Sequence, residues 1–277
     1  MSGVVISGAS TGIGAASAGL LAEKGYVVFA GVRNDEDAGR LADSSPNVRP
    51  LMLDVTQAAS LAGAARVVRE SGVTLRGVVS NAGIAVGGPL EHLPIDDLRR
   101  QFEVNVYGAL ALAQTFLPML SDNHGRIVFV GSISGRLAAP YIGPYSASKF
   151  ALRALADALR VELAPAGIAV SLIEPGSVKT PIWAKGRAAA RDIGEKLDFD
   201  VRSHYRTALE RVVSITESAE RDGMPVEVVS AAILHAVEAR RPRAQYLVGT
   251  PARMGSILAS LPPGLRDRAV RASMRLP

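Results

Sequence analysis

The chain contains a serine, a tyrosine and a lysine whose types and spacing suit proton transfer to or from an oxygen. In GSISGRLAAPYIGPYSASK, beginning at Gly131, Ser132 is followed by Tyr145 and then by Lys149. Tyr145 and Lys149 stand at i and i+4, so on a helix a phenol and an ammonium share one face. A free phenol, with a pKa of about 10, is a poor acid or base at neutral pH. A fixed positive charge beside it favours phenolate and is expected to lower that value. Ser132, on a loop reaching the same point, could hydrogen-bond a substrate oxygen. A match of this kind occurs by chance in many proteins, so the rest of the chain must supply a partner for the proton chemistry.

That partner is announced at the N-terminus. Gly3 to Ser7 (GVVIS) has the apolar character of a buried parallel strand. It leads into GASTGIG, with Gly8, Gly12 and Gly14, then a helical stretch over Ile13–Lys24 and a second apolar run over Tyr26–Val32. This is a βαβ unit with a glycine-rich first turn. Glycines let the backbone turn sharply and let a ligand approach it closely. The helix start offers unpaired N–H groups to a pyrophosphate. After the second strand come Arg33 and Asn34, with no acid at the strand end. An acid there would bond a ribose 2′-hydroxyl, whereas an arginine suits a 2′-phosphate. The expected cofactor is therefore NADP(H), with NAD(H) the lesser candidate. Asp35, Glu36 and Asp37 are expected to open the next helix, where negative charge suits the dipole.

Further alternation follows. Strands are expected over Val48–Leu53, Leu75–Ser80, Arg126–Gly131, Ile168–Ile173 and Gln245–Gly249, with Pro50 placing the third near a sheet edge. Thr56 is a candidate N-cap for a helix to Glu70. Pro94–Leu120 reads as one long helix carrying Asn105, with a kink near Pro118. Helices are also expected over Tyr145–Ala164 and Pro225–Ala239. This pattern is α/β, a Rossmann-type doubly wound parallel sheet of about seven strands with helices on both faces. Asn81, Ala82 and Gly83 follow the fourth strand, and Pro175–Gly176 the sixth, as a ligand crevice at the carboxyl edge requires.

Taken in order, GASTGIG, Asp54–Val55, Asn81-Ala82-Gly83, Asn105, Ser132, YSASK and Pro175–Gly176 with Thr180 beyond resemble the short-chain dehydrogenase/reductase family, in its single-domain branch. Ser7 departs from the family's usual threonine but keeps a hydroxyl. The resemblance implies that Tyr145 is the general acid/base and that Lys149 lowers its pKa and holds the nicotinamide ribose. It implies that Ser132 orients the substrate oxygen and that Asn105 holds a water in a relay to Lys149. Gly8, Ser10, Thr11, Gly12, Ile13 and Gly14 would form the pyrophosphate turn. Asp54 and Val55 would lie by adenine, and Asn81, Ala82 and Gly83 beside the adenosine ribose. Pro175, Gly176, Val178 and Thr180 would lie along the nicotinamide half. Arg33 followed by Asn34 looks like the family's NADP-preferring arrangement.

The 277 residues are expected to form one dinucleotide-binding domain with a substrate-lid insert over 181–222 and a basic tail over 252–277. Helical pieces are expected around Ala184–Leu197 and Val201–Arg221. Trp183 is the candidate apolar pocket wall, with Tyr141, Ile142 and Ser134 on the approach to Tyr145. The ARRPRAQYLVG region resembles retinol and hydroxysteroid dehydrogenase-like members, implying a lipophilic alcohol or ketone such as a steroid, retinoid or fatty-chain compound. Net charge is +5, and the excess sits in the tail, whose arginines alternate with apolar residues. A packed terminal helix is the expectation, a weak peripheral membrane contact the alternative. There is no cysteine, and the four histidines are scattered, so no metal site is expected. No nucleic-acid motif appears, and aromatic residues make up 5%. No targeting or spanning segment is seen, so a cytoplasmic protein is expected, and the family resemblance implies a homodimer or homotetramer. The competing functions are a catalytically silent dinucleotide-binding regulator, an NAD-preferring dehydrogenase of a small polar alcohol, and an epimerase or dehydratase of the same superfamily.

Overall fold

The structure, a computed structural model, describes residues 2–120, 124–184, 186–187, 191 and 199–274. Seven strands form one parallel sheet in the order β3-β2-β1-β4-β5-β6-β7. They are β1 (Ser2–Ile6), β2 (Val27–Val32), β3 (Val48–Met52), β4 (Thr74–Ser80), β5 (Arg126–Val130), β6 (Ala169–Pro175) and β7 (Gln245–Val248). The inner strands are buried on both faces, as their unbroken valine and isoleucine runs demand. Pro50 lies in β3 at the sheet edge, where its missing N–H breaks no ladder. The strand order reverses between β1 and β4, which opens a crevice at their carboxyl ends.

Helices cover both faces. On one side α1 (Gly12–Glu23) and α8 (Val226–Glu238) bury Leu21, Ala18, Val229 and Ile233 against the sheet, with a hydrogen bond of 3.1 Å between Ser17 and Ser230 joining them. On the other, α3 (Ala58–Glu70), α5 (Gly108–Phe116) and α6 (Gly143–Glu162) bury Leu61, Leu112, Phe116 and Leu152. The remaining helices are α2 (Asp35–Ala42), α4 (Ile95–Phe102), α7 (Phe199–Asp222), α9 (Thr250–Ala259) and α10 (Pro263–Met274).

Two expectations change. Thr56 does not cap α3: Gln57 holds that position, and the Thr56 hydroxyl instead donates to Asp54 Oδ1 at 2.7 Å. The long helix over 94–120 is interrupted, with a π-helical segment over Glu103–Tyr107 between α4 and α5 and a 3₁₀ turn over Leu117–Met119 at Pro118. Gly108 follows the π segment, where an added Cβ would stand 2.6 Å from Val55 Cγ2; this helix is pressed against the loop after β3. The helical piece expected at 184–197 falls largely outside the described residues, whereas the one expected over 201–221 is present as α7. The tail forms α9 and α10, with the last three residues outside the description.

Candidate active site

The glycine turn after β1 is built for close approach. Gly12 has a φ of +57°, in the region that L side chains rarely adopt. A Cβ on Gly14 would lie 2.2 Å from Gly8 O and 2.5 Å from Asn81 Nδ2. Asn81 Nδ2 donates to Ser7 O at 3.1 Å and Gly8 O at 2.9 Å, while Ser7 Oγ accepts from Asn81 N and Ala82 N. The end of β4 therefore braces the turn after β1. α1 begins with no side-chain cap and no acid in its first turn. Its leading N–H groups thus face the crevice without a protein acceptor from the cap position, which fits an anionic phosphate.

At the end of β2, Arg33 is exposed on the cleft wall and its charge reaches Asp54. Burial raises the Asp54 carboxyl, but the hydrogen bonds from Thr56 and the Arg33 charge outweigh it and hold the group below its ordinary range. Asn34 caps α2, accepting from Asp37 N at 2.8 Å, so its amide is engaged locally. Arg40, one turn further along α2, was not singled out by the sequence reading. It donates to Ser10 O at 2.5 Å and pairs with Asp37 at 2.7 Å, bringing a second guanidinium to the same end of the cleft. An arginine on a helix six residues past its cap carries no sequence signal of such a reach.

The reactive end lies where β5 and α6 meet. Tyr145 and Lys149 are 6% and 5% exposed, and Lys149 Nζ lies 5.6 Å from the Tyr145 ring centroid. Nζ donates to Val130 O at 2.8 Å. The Ser132 hydroxyl hydrogen-bonds the Tyr145 phenol and accepts from Ser134 N at 3.1 Å. Burial pushes the phenol up to about 12, against the pull of Ser132. Burial draws the Lys149 ammonium down to about 8. The expected lowering of the phenol by Lys149 is therefore not seen in the chain by itself. Desolvation disfavours the charged form of both groups, and here it exceeds their mutual attraction.

The cleft, about 420 Å³, is lined by Gly8, Ser10, Thr11, Gly12, Ile13, Arg33, Asn34, Asp54, Val55, Asn81, Ala82, Gly83, Ser132, Tyr145, Lys149, Pro175, Gly176, Val178 and Thr180. Gly14 and Asn105 stand behind its wall. Asn105, expected to serve a water relay, has its amide committed elsewhere: Oδ1 accepts from Ile84 N at 2.9 Å, and Nδ2 donates to Ile84 O at 3.0 Å and Ser148 Oγ at 3.1 Å. Gln101, one turn earlier and fully buried, treats the next residues alike, accepting from Val86 N at 2.7 Å and donating to Ile84 O at 2.9 Å. Two amides thus clamp the backbone of Ile84–Val86. Gln101 and Ser148 were missed because a buried glutamine in a polar helix looks like a surface residue.

Beyond Tyr145 a second, apolar cavity of about 260 Å³ opens between Ala85–Gly88, Tyr141, Ile142 and the segment after Thr180. Trp183 belongs to both spaces, its ring edge-on to Tyr145 at 5.6 Å. Leu209, Val212 and Val213 of α7 form the far wall. Tyr141 holds a positive φ of 65°, with its carbonyl accepting from Gly88 N at 2.7 Å; such strain persists where the surroundings dictate it, commonly at ligand sites. Ser134 is not in this wall; it is buried under Ser132.

A parallel sheet with a glycine-cradled crevice ending on a buried serine, tyrosine and lysine defines a nicotinamide-dependent oxidoreductase of CH–OH groups. The chain belongs to the short chain dehydrogenase family, whose model matches residues 2–191. It is 35% identical, over 88% of this chain and 87% of the relative, to the NADPH-dependent 3-dehydrocapnine reductase of Ornithobacterium rhinotracheale. It is 32% identical, over 94% and 84% of the two chains, to retinol dehydrogenase 5 of Mus musculus. Among solved structures, a short chain dehydrogenase from Burkholderia cenocepacia in complex with NADP is similar at a TM-score of 0.71 and 27% identity, covering 99% of this chain and 98% of that one. One from Burkholderia phymatum in complex with NAD shares the fold at a TM-score of 0.77 and 23% identity. No helix among the described residues is long and apolar enough to cross a membrane.

Proposed function

We propose that the chain is an NADP(H)-dependent oxidoreductase that interconverts a lipophilic secondary alcohol and its ketone, or a primary alcohol and aldehyde. The observation that carries this reading is the apolar cavity that shares Ala85, Val86 and Trp183 with the cofactor cleft, Trp183 lying edge-on to Tyr145. A small polar alcohol would leave that wall unfilled. The bound nicotinamide supplies or accepts the hydride. Ser132 and Tyr145 converge on one oxygen: the phenol gives it a proton during reduction and takes one during oxidation, with Ser132 holding it in place. Lys149 stands behind the phenol and stabilises the phenolate left by proton donation. Asn105 and Gln101 act by positioning Ile84–Val86, and a relay beyond Lys149 would have to use main-chain groups. The segment over 181–222 serves as the lid, with α7 held to the loop before α4 by the Tyr205–Glu91 hydrogen bond.

The NADP preference rests on Arg33 and on the absence of an acid at the end of β2, and it agrees with the 35%-identical relative, an NADPH-dependent reductase. Arg33→Ala is expected to raise the KM for NADPH roughly 10- to 100-fold, the weight of a charge-assisted hydrogen bond, while that for NADH hardly moves. Steady-state kinetics with both cofactors decide this; equal losses would refute the preference. The substrate class is tested by following NADPH absorbance over a panel of steroid, retinoid and fatty-chain carbonyls against small polar ketones. Faster turnover of the small polar set would overturn it. Exposed Tyr107 and Phe150 fit a homo-oligomer contact, and exposed Met254, Ile257 and Leu265 among the tail arginines fit a weak peripheral membrane contact. The proposed compartment is the cytoplasm.

A further inference from the structure

The apolar cavity has a charged end. Arg187 lines it, one guanidinium nitrogen donating to Glu220 at 2.5 Å. The other, Nη1, is buried and has no partner among the described residues. A buried charged donor left unpaired keeps the cost of losing its water with nothing to offset it, so the arrangement is incomplete as it stands. Arg191 also lines the cavity, and among the described residues no carboxylate does. Glu220 offsets one guanidinium, which leaves a positive charge in an otherwise apolar wall of Ala85, Val86, Ile142 and Leu209. Trp183 lines the same cavity and lies edge-on to Tyr145.

We infer that the cavity takes an amphiphile with an oxyanion terminus: the reacting oxygen at Tyr145, an apolar spacer along Trp183 and Ile142, and a carboxylate or sulfonate received by Arg187, with Arg191 adding charge. The geometry rests on the reading of Tyr145 as the proton donor and extends it from a lipophilic substrate to an anionic one. A guanidinium with one edge held by Glu220 presents its remaining N–H groups in a fixed direction, as recognition of a planar or tetrahedral oxyanion requires.

Trp183 is the sole tryptophan, so its fluorescence reports on occupancy without turnover. In titrations of the full chain with decanoate, decanesulfonate and decanol, at least one anion is expected to bind about tenfold or more tighter than the alcohol, the worth of roughly one good charge-assisted bond. In the double variant Arg187→Gln/Glu220→Gln, which leaves no lone carboxylate behind, that difference is expected to vanish. Equal binding of decanol and both anions by the wild type overturns the inference, as does a preference that survives in the double variant or the absence of any response to all three. A second arm offers a medium-chain keto acid and its methyl ester with NADPH. If the ester is reduced as efficiently as the acid, the oxyanion site fails while the lipophilic reading stands. If neither is reduced although the anions bind Trp183 in an Arg187-dependent way, the site stands and the proposed reaction fails.

Discussion

Tyr145→Phe is expected to lower turnover roughly 10²- to 10⁴-fold, the usual weight of a positioned general acid, with NADPH affinity nearly intact. The substitution removes one oxygen from a ring that is otherwise fixed by burial and by the Trp183 edge. The phenol is the proton donor nearest the substrate side, and Ser132 cannot replace it, since a hydroxyl of much higher pKa is a poorer acid. Single-turnover reduction and NADPH titration by fluorescence separate the two effects; undiminished turnover would remove Tyr145 from the mechanism. A pH profile adds a signature. Tyr145 keeps its proton until about 12, but Lys149 loses its charge as pH rises through about 8. Phenolate left by proton donation is then no longer stabilised by an ammonium. The kcat/KM for reduction, which reports the free enzyme, is therefore expected to be level below pH 8 and to fall above it. Lys149→Met should be slow throughout and lack that break.

The second large effect lies outside the reacting atoms. Arg136 closes the short 3₁₀ turn that Ser132 opens, and its guanidinium grips Glu174 of β6 with two bonds, of 2.8 and 2.6 Å. It also bonds Gln245 of β7 at 2.6 Å. Glu174 is 1% exposed and Arg136 15%. The Glu174 bond, ahead of the cost of burial, holds the guanidinium above its ordinary pKa. Removing one partner of a buried pair leaves the other charge uncompensated, at a cost of about 3–5 kcal/mol. Glu174→Leu is therefore expected to lower the melting temperature by roughly 10 °C, at about 2–4 °C per kcal/mol for a chain of this size. It should also slow reduction, because the turn that carries Ser132 is anchored there. Arg136→Met/Glu174→Leu together should recover much of the stability, since two apolar side chains leave no stranded charge. Circular-dichroism melts of the two variants against the wild type decide it: a Glu174→Leu protein that melts with the wild type would show that the pair contributes nothing.

The fold was legible because parallel strands buried on both faces are written as unbroken apolar runs, and because Gly14 cannot be replaced where the backbone of Gly8 and the side chain of Asn81 close in. The reacting residues were legible for a similar reason: Tyr145 and Lys149 sit on one helix, and a local spacing needs no tertiary knowledge. What escaped depended on distance in sequence. Arg40 meets Ser10, Arg136 meets Glu174 and Gln101 meets Val86 only after folding, and each of these residues alone looks like an ordinary surface polar group. The interruption at Glu103–Tyr107 escaped too, since this π segment changes hydrogen-bond register with no glycine or proline inside it. The phenol's raised pKa escaped because spacing shows which charges are near but not how much water is excluded.

The clamp on Ile84–Val86 has a kinetic meaning. Ile84 lines the cofactor cleft, Gly87 lines the apolar cavity, and Ala85 and Val86 line both. One short piece of backbone, held by Gln101 and Asn105 from behind, is thus a party wall between two compartments. Filling one compartment sets the wall for the other, so the affinities for nucleotide and for substrate are linked, and by the same factor in each direction. In equilibrium terms, the dissociation constant of the nucleotide should change when substrate is present, that of the substrate should change by the same factor when nucleotide is present, and paired titrations would reveal the equality directly.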